Sequence, residues 1–276
     1  MTGSITQFNG RSAELADVAP LAFAGYAHFT AMQVRDGRVR GLDLHLARLR
    51  EASDVLFGKH LDDDVILNVM RRGLASAPPD ASLTCFVTSR PGEFAPAGAT
   101  TALDVLIRVT DPAEPPAGPL ALDAVEHQRH LPRVKHVGEV SKTLLLRQAN
   151  DRGFDDAAFI DGAGRLGEAT IWNLAFWDGQ SVIWPRADVL PGVTMQILTR
   201  RLQRLGIPQQ IREVRLDELG THRSAVVMNS WRPGIPIARI GDRPLGQDPE
   251  FARLLHAAYR DEPESTVEEM VSSRCR

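Results

Sequence analysis

The sequence predicts an α/β (α+β) fold in two domains, and three observations carry that reading. The chain has 276 residues, 43% of them hydrophobic and 24% charged, enough to bury two cores of ordinary size. Segments of helical period alternate with short runs rich in Val, Leu, Phe and Thr. Residues 110–119 read TDPAEPPAGP, four prolines and a glycine with almost nothing to bury, which is the composition of a linker. The division is therefore an N-terminal α+β domain over 1–112, a linker over 113–119, a larger α/β domain over 120–262 and a frayed tail over 263–276.

In the first domain, 31–39, 82–89 and 102–109 read as strands. Residues 43–57 place Leu46, Leu49, Val55 and Leu56 at helical spacing, with Asp43 as N-cap and Gly58 as stop. A second helix fits 62–75, opened by aspartates. Past the linker, 137–152 is helical and stops at Gly153, and 156–161 is a strand closed by a glycine turn. Residues 173–184 form a hairpin around a two-residue Asp178-Gly179 turn. A helix over 193–205 follows Leu190-Pro191-Gly192, strands occupy 211–216 and 224–228, and Asp248-Pro249 opens a last helix to 259.

Composition narrows the function. The net charge is −3, which argues against nucleic acid as the main partner and favours a small molecule. Two cysteines, Cys85 and Cys275, build neither a disulfide framework nor a cysteine-rich metal site, and a reducing cytoplasm suits such a chain. No window reaches a membrane span, and the first thirty residues carry no secretory pattern. The histidines at 127, 130 and 136 are separated by Pro132 and present no single face of metal ligands. Only Lys59, Lys135 and Lys142 are lysines among 32 Lys and Arg residues. Lysine, unlike arginine, can form a Schiff base and lose its proton at useful pH.

Taken singly, Lys135, Glu168, Arg48 and the helix start at 193 have ordinary readings: a strand-end cation, a turn carboxylate, a helix-surface arginine and a capped helix. Their joint order is more specific. Lys135, then Gly153-Phe154-Asp155-Asp156-Ala157, Asp161-Gly162, Gly167-Glu168, Asn173 and Leu190-Pro191-Gly192-Val193-Thr194 resemble the class IV aminotransferases. The first domain adds FTAMQVRDGRVRGLDLHLARL, similar to the family's strand, turn and helix ending in His-x-x-Arg-Leu, so the resemblance spans roughly 29–237.

The resemblance implies fold type IV, pyridoxal 5′-phosphate as cofactor and a homodimer with its active site between domains and subunits. Residue by residue, it implies that Lys135 is the Schiff-base lysine and the catalytic acid/base. Glu168, 33 positions on, becomes the carboxylate on the pyridine nitrogen. Arg48, Val193, Thr194 and Ser230 become the phosphate site. The residue types suit these tasks: a helix N-terminus with a guanidinium receives a phosphate, and a carboxylate beside the ring nitrogen favours the protonated pyridinium that acts as electron sink. Lys135 must lose its charge to attack an aldehyde, and Val134 and Val137 suggest a desolvated setting.

The chain departs from the family at Val140, where many relatives carry tyrosine five residues after the lysine, with Glu139 beside it. Lys142 is a competing lysine that reads as a surface residue. Positions matching the substrate pocket are Tyr26, His28, Thr30, Arg90 and Trp231 with Arg232; an exposed turn arginine and a structural histidine are the ordinary readings of Arg90 and His28. The resulting expectation is an aminotransferase passing an amino group from an amino acid or amine to a 2-oxo acid. A pyruvate-eliminating lyase of the aminodeoxychorismate type is the alternative, supported by FTAM and Lys135-His136, and a catalytically idle binding protein is a third. Donor, acceptor, stereochemistry and the place of Glu139 stay open.

Overall fold

A computed structural model describes residues 4–23, 25–90 and 102–274; Cys275, named in the sequence, lies outside them. The chain divides into two compact units. One holds 1–114, 134–138 and 263–276, and the other 115–133 and 139–262.

The first unit runs β1 (Ile5–Phe8), β2 (Arg11–Ser12), α1 (Leu15–Phe23), β3 (Ala27–Val34), β4 (Val39–Arg40), α2 (Leu42–Phe57), α3 (Asp63–Leu74), β5 (Ala81–Arg90) and β6 (Ala102–Thr110). Five strands form an antiparallel sheet in the order β2-β1-β6-β5-β3. Period-two alternation puts Met32, Val34, Leu83, Cys85, Val87 and Ile107 into a core with Leu46 and Leu49 of α2 and Met70 of α3. Burial pushes the Cys85 thiol well above its ordinary pKa, so it packs as a small apolar residue.

The expected strand over 31–39 ends at Val34. Asp36 and Gly37 both take positive φ, and Arg35 bridges Arg38, which makes the two-residue hairpin turn. The cap of α2 is Gly41 in the left-handed region rather than Asp43, which sits in the first turn where a carboxylate favours the helix dipole. Gly58, at φ 71°, closes the helix with its N–H on the Asp54 carbonyl.

The second unit runs β7 (Leu120–Glu126), α4 (Val140–Asp151), β8 (Asp156–Ile160), β9 (Leu166–Ala169), β10 (Asn173–Trp177), β11 (Val182–Pro185), α5 (Val193–Arg204), β12 (Gln209–Arg212), β13 (Ser224–Met228), β14 (Ile235–Ile240), β15 (Arg243–Pro244) and α6 (Pro249–Arg260). Its mixed sheet follows β12-β11-β10-β13-β14-β7-β8-β9, and β9 also pairs back with β10. Strands β10, β13, β14, β7, β8 and β9 therefore close on themselves. Leu122, Leu166, Phe176, Val227 and Ile237 fill one core. Trp184, Leu198 and Leu202 of α5, and Phe251 and Leu255 of α6, fill another.

Three expectations change here. Helix α4 begins at Val140 rather than 137, because 134–138 belongs to the other unit, where His136 bridges His28. The turn after β10 is four residues long, with Phe176 opposite Ile183 and Trp177 opposite Val182. The Asp178 carboxylate accepts the N–H groups of Gln180 and Ser181 and holds that wider loop. The strand expected over 211–216 ends at Arg212, and Leu216 starts a short 3₁₀ helix.

The tail expected to fray forms β16 (Glu264–Ser265) and α7 (Val267–Arg274). Strand β16 pairs with β4, Val267 is buried in the first unit's core, and Glu264 and Glu269 pair with Arg40 at 2.6 Å and Arg38 at 3.1 Å. Acidic composition at this end serves a basic hairpin. Among the described residues no helix is long and apolar enough to cross a membrane.

Candidate active site

In the second unit Glu168 sits on β9, 5% exposed. Across the closing pair it faces Asn173 of β10. Its Oε2 accepts the Leu190 N–H at 3.2 Å and its Oε1 accepts Arg129 Nη1 at 3.2 Å. Asn173 in turn donates its side-chain amide to the Leu190 carbonyl at 2.7 Å. Three stretches separate in sequence, 166–169, 173 and 190–192, are thus pinned around one carboxylate.

Leu190 leads directly into α5. Gly192 is the N-cap residue, no side chain caps the helix, and the N–H groups of its first turn retain the pull of a helix N-terminus on an anion. A Cβ at Gly192 would lie 1.9 Å from Asn173 Oδ1, so only glycine lets the chain pass this close. Thr194 donates its hydroxyl to the Asn229 carbonyl at 2.9 Å, tying the helix start to the 229–232 turn. That turn closes on itself through Asn229 N–H to the Arg232 carbonyl and Trp231 N–H to Asn229 Oδ1. Ser230 is half-buried within it. Val193, Thr194 and Ser230 are therefore assembled beside the Glu168 loop, and an uncapped helix start with a glycine entrance fits a phosphate-bearing cofactor.

In the first unit, Lys135 lies on a short extended segment against β3. The Phe29 N–H donates to the Lys135 carbonyl at 2.8 Å, the Val137 N–H donates to the Ala27 carbonyl at 3.0 Å, and His136 bridges His28. The side chain is half-buried, with Nζ 4.8 Å above the Phe29 ring centroid. Val134 is buried and Val137 half-buried, but the surface touching the amine is an aromatic face, which attracts a cation.

Arg48 is buried on α2, one turn after His45. Burial lowers its guanidinium to about 10. Burial, with the Arg48 charge second, lowers His45 to about 3. A neutral imidazole beside a guanidinium avoids placing two cations in one apolar pocket.

The proposed substrate residues fare differently. His28 and Thr30 are wholly buried, with Nε2 2.7 Å from Ser53 Oγ and Oγ1 2.6 Å from His45 Nδ1. They point at α2 with Met32 and Val34, and the period of the strand gives the opposite face to Phe29. Tyr26 is exposed, donates its hydroxyl to the Leu56 carbonyl at 2.5 Å and meets Phe57 edge-on. Arg90 holds buried Asp104 at 2.5 Å, a structural pairing across β5 and β6. Trp231 is partly exposed and meets Trp172 edge-on.

Two further residues were unexpected. Lys142 is not a surface residue: its side chain is 15% exposed and lies 3.4 Å from Glu139 Oε2. Burial, with Arg129 second, lowers its pKa. Arg129, buried, joins Glu139 to Glu168 and also donates to the Pro132 carbonyl at 2.8 Å. The segment around it has no periodicity, and nothing in its spacing marks it.

The family model for amino-transferase class IV matches residues 27–240. Branched-chain aminotransferase from Escherichia coli is similar in structure, with a TM-score of 0.81, 17% identity, and 96% of this chain and 99% of that chain covered. Branched-chain aminotransferase from the archaeon Thermoproteus uzoniensis, solved with norvaline, gives 0.79, 18%, and 94% of each chain. The 4-amino-4-deoxychorismate lyase of Pseudomonas aeruginosa gives 0.78, 24%, 93% and 98%. No curated protein matches the chain. At these identities the likeness shows the fold, which both chemistries share.

Proposed function

We propose, on the premise that this chain belongs to the amino-transferase class IV family, that it transfers an amino group from an amino acid or amine to a 2-oxo acid with pyridoxal 5′-phosphate. We place it in the cytoplasm as a homodimer. The observation that supports the reading most is the assembly of Glu168, the uncapped start of α5 and the Ser230 turn around Leu190 and Asn173.

Each residue then has a task. The first-turn N–H groups at Val193 and Thr194, with Ser230 and the Arg48 guanidinium, bind the phosphate. Glu168, held by Arg129 and the Leu190 N–H, is the acceptor for a proton at the ring nitrogen. Lys135 would hold the cofactor through its amine and would move the proton at the substrate Cα. Bound pyridoxal phosphate supplies the electron sink that makes this proton removable.

The FTAM strand and the Lys135-His136 pair support a second reading, a lyase that releases pyruvate with the same lysine and carboxylate. Pyruvate formed from an amino substrate with no 2-oxo acid present would select it. The primary test is visible absorption of the purified protein with added pyridoxal phosphate, beside Lys135→Ala. The expected result is a yellow band that borohydride abolishes and the variant lacks. A wild type that stays colourless overturns the proposal.

A further inference from the structure

Glu139 occupies the N-cap position of α4, with φ −109° and ψ 57°, yet its carboxylate caps no helix N–H. It turns instead to Arg129, whose Nε reaches its two oxygens at 2.8 and 2.9 Å. Nη1 of the same planar group reaches Glu168 at 3.2 Å. Lys142, one helical turn on, pairs with Glu139 Oε2 at 3.4 Å. The four side chains, Lys142, Glu139, Arg129 and Glu168, are between 2% and 15% exposed and form a cluster of two cations and two carboxylates. In so dry a setting each charge is felt by the others, and none is removed without consequence.

We infer that Glu139 is a positioning residue for Glu168. It acts through Arg129, with Lys142 as its counter-charge, so that the carboxylate serving the cofactor belongs to a cluster of linked charges. The inference rests on the function proposed above and goes beyond it. Holding Nε side-on fixes the guanidinium plane, which aims Nη1 at Glu168. Dividing the Arg129 charge between two carboxylates leaves Glu168 more of its own negative charge to offer a ring nitrogen. This chain carries Glu139 beside Val140, whose side chain is largely exposed.

The charge count gives opposite signs for two variants. Relative to wild type, Glu139→Gln makes the surroundings of Glu168 one charge more positive, and Lys142→Met makes them one charge more negative. Other charged groups near Glu168 are His127, Asp161, Arg165 and Asp188, which with Arg129 line a cavity of about 20 Å³. They are common to both variants.

The test uses protein loaded with pyridoxal phosphate, following the pH at which its visible spectrum changes form, with thermal melts of the cofactor-free proteins alongside. Glu139→Gln is expected to move that pH down and Lys142→Met to move it up, each on the order of one unit. Glu139→Asp, which keeps the charge, should stay near wild type. A purely structural role would lower the melting temperature in both without splitting the sign. Should Glu139→Gln not fold, Glu139→Asp near wild type with Lys142→Met shifted upward supports the role. Variants that coincide with wild type, or move together, overturn it. A wild type that binds no pyridoxal phosphate overturns the proposed function instead.

Discussion

Thr30 Oγ1 lies 2.6 Å from His45 Nδ1, and both side chains are buried between β3 and α2. The bond fixes the rotation of α2 on the sheet, and with it Arg48, three residues further along the same helix face. Thr30→Val keeps the shape but strands a buried imidazole nitrogen, at a cost of about 1–3 kcal/mol. Denaturant midpoints should show this loss, with Thr30→Ser close to wild type and Thr30→Val also weaker in cofactor affinity through Arg48.

Acid should destabilise the first unit in a defined window. Burial holds His28 and His45 at about 3, against 6.5 when free. The unfolded chain takes up both protons as pH falls through 6.5, and the folded chain does not until about 3. Stability is therefore full above 6.5 and lost progressively between the two values. At pH 5.5 each histidine accounts for about 1.4 kcal/mol of that loss. Burial shifts His127, His222 and His256 in the same direction. Melts at pH 7.5 and 5.5 should diverge for wild type and converge substantially in a His28→Asn/His45→Gln double variant.

Gly192 is expected to tolerate no side chain while Asn173 is present. Gly192→Ala forces its Cβ onto Asn173 Oδ1, displaces the bond to Leu190 and disturbs the first turn of α5. Overpacking of this kind costs about 1–3 kcal/mol, and pyridoxal phosphate affinity measured by equilibrium titration should fall by tenfold or more, on the order of one well-made hydrogen bond. Adding Asn173→Gly removes the clash, and partial recovery of stability identifies sterics as the cause.

Arg129→Met removes the one guanidinium shared by Glu139 and Glu168. Glu168 then loses its guanidinium partner while Glu139 keeps Lys142 at 3.4 Å, and breaking a buried pair from one side costs about 3–5 kcal/mol. The melting temperature should drop accordingly. If it stays at the wild-type value, the cluster of charges is not the stabilising unit described.

Much of the fold is written in local pattern. Helices α2, α3, α5 and α6 follow their 3.6-residue stripes to within a residue or two of their ends, because an apolar face must find a core wherever it lies. What is decided by distant partners is not readable. Asp178-Gly179 looks like a tight hairpin and Asp36-Gly37 falls inside an apparent strand, and only the strand register shows that the tight turn is at Asp36-Gly37. His28 and Thr30 belong to the right strand, but strand parity assigns them to its buried face. Arg129 becomes meaningful only when β9, 39 residues later, brings Glu168 to it. Lys142 sits on a helix with no strong apolar stripe, so its burial depends on Glu139 and Arg129 rather than on pattern.

Neither unit is continuous in sequence. The first contains the Lys135 segment and takes Val267, deep in its core, from nearly the end of the chain. During synthesis the sheet of β1 to β6 leaves the ribosome with α3 lacking α7, and β4 lacking the Glu264 strand. That half must wait, incomplete, while the whole closed sheet of the other unit is made. The chain is thus obliged to finish its second half before its first, and no single cut in the gene would release the first unit with its own core intact, because Val267 would be left behind.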